Sequence, residues 1–116
     1  TNPDLMLIEG QSSLRNPSGP CGSELLLSAD VNGVVLVHPF DRDYFDNFEE
    51  IQCELPSLED EINLIKSYDK TVLGICINSQ QNIDANQIKE QFNIPVVNPM
   101  NESISSISES IKANLF

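Results

Sequence analysis

The chain has 116 residues, six Lys+Arg against 18 Asp+Glu, and a formal charge of −12. A chain of this length makes one domain and buries roughly two-thirds of its surface on folding. Its 40% hydrophobic content is that of an ordinary globular protein. With almost no cations to neutralise phosphates, nucleic acid and anionic membrane surfaces are excluded as partners.

The three cysteines, Cys21, Cys53 and Cys76, fall at unrelated spacings, so neither a disulfide framework nor a zinc site is expected. Reduced thiols in a cytoplasmic protein are the reading. No apolar run approaches the ~20 residues of a membrane helix. The start at Thr1-Asn2-Pro3-Asp4, with no initiator Met, reads as a piece of a longer protein.

Taken in chain order, Leu5-Met6-Leu7-Ile8 is a wholly apolar run ending in Glu9, and predicts a first strand. Glu24-Leu25-Leu26-Leu27 predicts a short helix. Val34-Val35-Leu36-Val37, ending in His38 and Pro39, predicts a second strand. Ser57 with Asp60 three residues on is a capping signature. It opens a helix whose stripe is Leu58, Ile62 and Ile65, with Glu59, Glu61 and Lys66 turned to water. Val72 to Ile77 predicts a third strand, closed by Asn78. Asp84 and Gln87 cap a helix with Ile88 and Phe92 on its stripe. Ile94 to Val97 predicts a fourth strand, closed by Asn98 and Pro99. Ile104, Ile107, Ile111 and Leu115 mark one face of a last helix.

Runs that are apolar at every position fit strands covered on both faces, hence a parallel sheet. The alternation predicts an α/β fold, doubly wound and mostly parallel, with helices on both faces. Residues 10–22 and 39–56 are long loops, each following the carboxyl end of an expected strand, where open α/β sheets place their ligands.

Four polar groups are then expected on one rim: Glu9, His38, Asn78 and Asn98. Glu9 after four apolar residues follows the plan of a Walker-B strand, which aims a carboxylate at a metal or water beside a phosphate. Gly10 allows the backbone to turn under a ligand. The alternative is a carboxylate capping the Ser12 or Ser13 amides. Asn78-Ser79 suits the edge of a base, or an Asx turn. His38 can act as general base, and Arg42 can bind a carboxylate, or pair with Asp41, Asp43 or Asp46. The chain contains neither GxxxxGK[ST] nor GxGxxG, so it has no phosphate-cradling loop of its own.

Pro3 to Leu14, Val35-Leu36-Val37-His38-Pro39 with Arg42, Leu55-Pro56-Ser57-Leu58-Glu59, Val72 to Ser79, and Ile94 to Pro99 together resemble the C-terminal part of the D-glutamate N-acetyltransferase family. That family resembles P-loop NTPases near dethiobiotin synthetase, with a Rossmann-like domain before it. The resemblance implies acetylation of the D-glutamate amino group from acetyl-CoA in a bacterial or archaeal cytosol. It places Glu9, Gly10 and Gln11 at the Walker-B-like position and Asn78 where a nucleotide base is read. It also matches His38 and Arg42 to the family's strand-end His and downstream Arg. Ser12 replaces the family's usual Gly, and Arg15-Asn16-Pro17 stands where a His is common.

The roles expected on this basis put Glu9 and His38 in catalysis. Arg42, Gln11 and Ser13 hold substrate, and Gly10, Asn78 and Ser79 hold acetyl-CoA or a nucleotide. Glu9 also takes Mg²⁺ if a nucleotide binds. The expected partners are a small-molecule substrate and either a second copy or a preceding segment carrying the phosphate loop. Without that loop the chain alone is expected to be inactive. A non-catalytic nucleotide-binding or oligomerisation domain of a larger bacterial protein is the alternative.

Overall fold

A computed structural model describes residues 2–10, 13–17 and 22–116. Three parallel strands form its sheet in the order β1-β2-β3: β1 (Val34–Pro39), β2 (Val72–Asn78) and β3 (Val96–Val97). Four helices accompany them: α1 (Gly22–Ser28), α2 (Leu58–Ser67), α3 (Ala85–Phe92) and α4 (Ser105–Leu115). The α/β class and parallel direction match the expectation. No helix among the described residues is long and apolar enough to cross a membrane.

The helix starts follow the capping chemistry of the sequence. Ser57 Oγ accepts from the Asp60 amide at 3.1 Å. Asp84 Oδ1 accepts from the Asn86 and Gln87 amides at 3.0 and 3.3 Å. Each cap satisfies amides that a helix leaves without partners. Asn93, in the left-handed region at φ 54°, ends α3 and turns the chain toward β3.

Side chains alternate across a strand, so β2 sorts its residues onto two faces. Ile75 and Ile77 join Leu36 of β1 and the α2 stripe Leu58, Ile62 and Ile65 in one core, with Leu26 of α1 and, at its edge, Ile88 and Phe92 of α3. Gly74 faces the other way, toward α4. A Cβ there would stand 2.8 Å from Cγ1 of Ile107, so the glycine sets how closely α4 approaches the sheet. Helices therefore cover both faces.

Two expectations fail. Leu5–Ile8 forms no strand: residues 2–10 carry no regular structure, are exposed and lie outside the sheet. An apolar run becomes a strand only where a neighbour offers backbone partners, and no described strand pairs with this one. Glu61, assigned to water, is buried instead. Nε and Nη2 of Arg15 both donate to its Oε1, at 3.0 and 2.6 Å, which offsets the cost of burying the carboxylate. The pair also ties residues 13–17 to the first turn of α2. Of the cysteines, Cys53 and Cys76 are free thiols, as expected; Cys21 lies outside the described residues.

Candidate functional site at the carboxyl rim of the sheet

The register that pairs His38 with Ile77 and Pro39 with Asn78 brings the ends of β1 and β2 level, and β3 delivers Asn98 to the same end. Three of the four expected rim residues are therefore together. Glu9 is not among them: it lies in the exposed segment off the sheet.

His38 is buried at the end of β1, its ring edge-on to Phe40 with centroids 5.0 Å apart. Burial disfavours the imidazolium and lowers the His38 pKa below its ordinary 6.5. At neutral pH the ring is uncharged and can accept a proton. With Arg42, Tyr44, Glu54 and Ser57 it lines a cavity of about 470 Å³ between the end of β1 and the start of α2. The floor on that side is the N-cap of α2, whose partial positive charge favours an anion. Arg42 is ion-paired with Asp46, one of the alternatives open in the sequence.

The loop carrying these residues, 39–56, is more ordered than its composition suggests. An antiparallel bridge joins Tyr44 to Glu54. The Phe45 amide donates to the Cys53 carbonyl at 3.0 Å and that of Leu55 to the Asp43 carbonyl at 2.8 Å. Phe45 is buried and anchors the excursion.

A second cavity of about 410 Å³ lies past the ends of β2 and β3, lined by Ser79, Gln80, Gln81, Asn82, Asn98, Met100 and Asn101. Every polar side chain in that lining is uncharged and most are amides, which donate and accept at once. Asn98 is spent largely on structure: its Oδ1 accepts from the Met100 amide at 3.1 Å, and its own amide donates to Glu102 Oε1 at 2.8 Å. Asn78 is exposed and does not line this cavity; Ser79 does.

Asp41 links the loops that line the two cavities. Its Oδ2 accepts from Ser79 Oγ at 3.1 Å and from the Gln80 amide at 3.0 Å, which pins the loop after β1 to the loop after β2. The Gln80 N–H, assisted by the Ser79 hydroxyl, holds the Asp41 carboxyl below its usual pKa. The sequence offered Asp41 only as a partner for Arg42. Its link to Ser79 spans 38 residues, which no local pattern reveals.

The remaining expected residues lie apart. Gly10 and Ser13 are exposed, in the segment before α1. Gln11 lies outside the described residues. No group of three His, Cys, Asp or Glu that could hold a metal ion occurs among the described residues. Glu9 therefore belongs to no such group among the described residues.

The profile of a domain-of-unknown-function family, DUF1611, described as a C-terminal P-loop domain, matches residues 1–108. The chain belongs to that family. The parallel α/β sheet is the architecture expected of a P-loop-like domain, and membership in a P-loop family suggests nucleotide binding. No curated protein and no solved structure matches the chain.

Proposed function

We propose that the rim binds an acidic amino acid in the His38–Arg42 cavity and an adenine-bearing acyl donor over the amide cavity, and serves N-acetylation of D-glutamate. The observation that carries this reading is the pairing, in one cavity, of a neutral buried imidazole with a guanidinium. Arg42 would exchange Asp46 for a substrate carboxylate, with the α2 N-cap favouring the same charge. His38 would take the proton that the acceptor ammonium must lose before its lone pair can attack. Acetyl-CoA would supply the thioester carbonyl. As the N–C bond forms the C–S bond breaks, and CoA leaves as a thiolate that takes the proton back from His38. The second amine proton passes to solvent, the CoA adenine meeting the amides of Gln80, Gln81 and Asn101. The resemblance to D-glutamate N-acetyltransferases supplies the identity of acceptor and donor.

A non-catalytic nucleotide-binding domain is the second reading. It is favoured by the position of Glu9 off the sheet, away from His38 and Asn98.

Calorimetry separates the two. Under the first reading D-glutamate and acetyl-CoA both bind, and Arg42→Ala weakens D-glutamate by about tenfold or more while leaving acetyl-CoA unchanged. Heat from ATP alone supports the second reading. Silence from all three ligands contradicts both.

A further inference from the structure

The loop 39–56 carries two side chains into the His38 cavity by one local device. Around the bridge between Tyr44 and Glu54, the Phe45 amide donates to the Cys53 carbonyl and the Leu55 amide to the Asp43 carbonyl. The hydrogen bonds therefore flank the Tyr44–Glu54 pair and do not join it. That is the register of an antiparallel pair in which opposite side chains stand closest, on one face. Phe45, the next residue, turns the other way and is buried. Tyr44 and Glu54 both line the cavity, held there by that anchor.

The lining carries charges of both signs. Arg42 is its cation, and Asp43 and Glu54 are its anions. Arg42 is already paired with Asp46, whereas the Glu54 carboxylate makes no hydrogen bond or ion pair with a described residue. His38, on the sheet side of the cavity, is 9% exposed and its ring nitrogens also make no hydrogen bond with a described residue. A simple anion entering here meets two carboxylates for one guanidinium. A ligand that bears an ammonium as well as a carboxylate answers both signs. The Tyr44 ring beside Glu54 adds an attraction for a cation that an anion does not share.

We propose that Glu54, with the Tyr44 ring, receives the ammonium of the acceptor and so selects an amino acid over a diacid of the same length. This rests on the reading of the cavity as the acceptor site. It goes further by assigning the choice of an amino group to the loop, while Arg42 and the start of α2 meet the carboxylates. The ammonium is then held in the cavity that His38 lines, where the imidazole can take its proton.

The test is calorimetry of the whole chain with two probes, D-glutamate and glutarate, the same diacid without its amino group. The unaltered chain should bind D-glutamate about tenfold more tightly than glutarate. Glu54→Gln keeps the size of an exposed side chain that has no described partner, so the fold should survive. It should weaken D-glutamate by about tenfold and leave glutarate unchanged or tighter, which erases the preference. Asp43→Asn removes the other carboxylate of the lining and should keep the preference within about twofold.

Equal loss of both probes in Glu54→Gln makes the residue a structural support and overturns the proposal. So does a preference that survives Glu54→Gln, or one that disappears in Asp43→Asn instead. Equal affinity of the unaltered chain for the two probes overturns it as well. All of these outcomes leave the cavity standing as the acceptor site. Binding of neither probe by the unaltered chain removes the acceptor site itself, and the proposal with it.

Discussion

β1 and β2 are nearly indistinguishable as sequence, and the fold treats them differently. Val34-Val35-Leu36-Val37 and Val72-Leu73-Gly74-Ile75 are both unbroken apolar runs that call for cover on two faces. β2 receives it: α2 closes one side, α4 the other, and Ile75 is 0% exposed. β1 has cover only on the side of Leu36 and His38. An apolar run states what a strand needs in order to be buried, while its neighbours decide whether it is. Leu5–Ile8 carries the lesson further, since it is equally apolar and has neither neighbour nor cover among the described residues.

Truncation should expose this contrast most strongly. Ile75→Ala opens a cavity at the centre of the core and should cost about 3–4 kcal/mol in urea unfolding. Arg15→Met should cost about 2 kcal/mol, because it strands the buried Glu61 carboxylate without its donor. It should also raise hydrogen exchange across residues 13–17 while the β2 amides stay slow. Removing the α2 cap with Ser57→Ala should cost about 1 kcal/mol, with fraying at Leu58 to Asp60.

The pH dependence is smaller and has a definite sign. The His38 pKa is lowered in the fold, so below 6.5 the unfolded chain binds the proton more readily than the native one. Stability contributed by neutral His38 is present above 6.5 and is lost as pH falls from there through the lower folded value. Asp30 and Asp41 are lowered too, by Lys70 and by the Gln80 amide. Their contribution stays in place until pH falls below their ordinary 3.8. Denaturant midpoints compared with those of His38→Gln should therefore separate between pH 7 and 5, and an unchanged slope in that interval would remove His38 from the account. Smallest of all, Val37→Ala should change the stability of the monomer by less than about 0.5 kcal/mol. The fivefold or greater contrast with Ile75→Ala is the measure of how open β1 is.

Most of the fold was legible because it rests on local chemistry. Ser57 and Asp84 cap helices as their spacing implies, and Leu58, Ile62 and Ile65 point inward at the helical period. The strand-end rule brought His38, Asn78 and Asn98 to one rim. What escaped was non-local. Glu61 sits on a polar stretch of α2, and only Arg15, 46 residues away, makes its burial tolerable. Asp41 gains its role from Ser79 and Gln80 across the rim. The Leu5–Ile8 reading had the opposite fault: the composition was right for a strand, but pairing requires a second strand that composition cannot supply.

The central claim is that the carboxyl rim of this parallel sheet holds the ligand site, in two cavities whose lining loops the Asp41 bridge links. Backbone amide chemical shifts of the isotope-labelled chain, followed during titration with D-glutamate and then with acetyl-CoA, test it most directly. The expected result is that D-glutamate moves the signals of residues 38–44 and 54–58, and acetyl-CoA those of residues 79–82 and 98–101, the linings of the two cavities. Signals that move instead at the amino ends of the strands, around Gly33 and Thr71, or that stay still throughout both titrations, would contradict it.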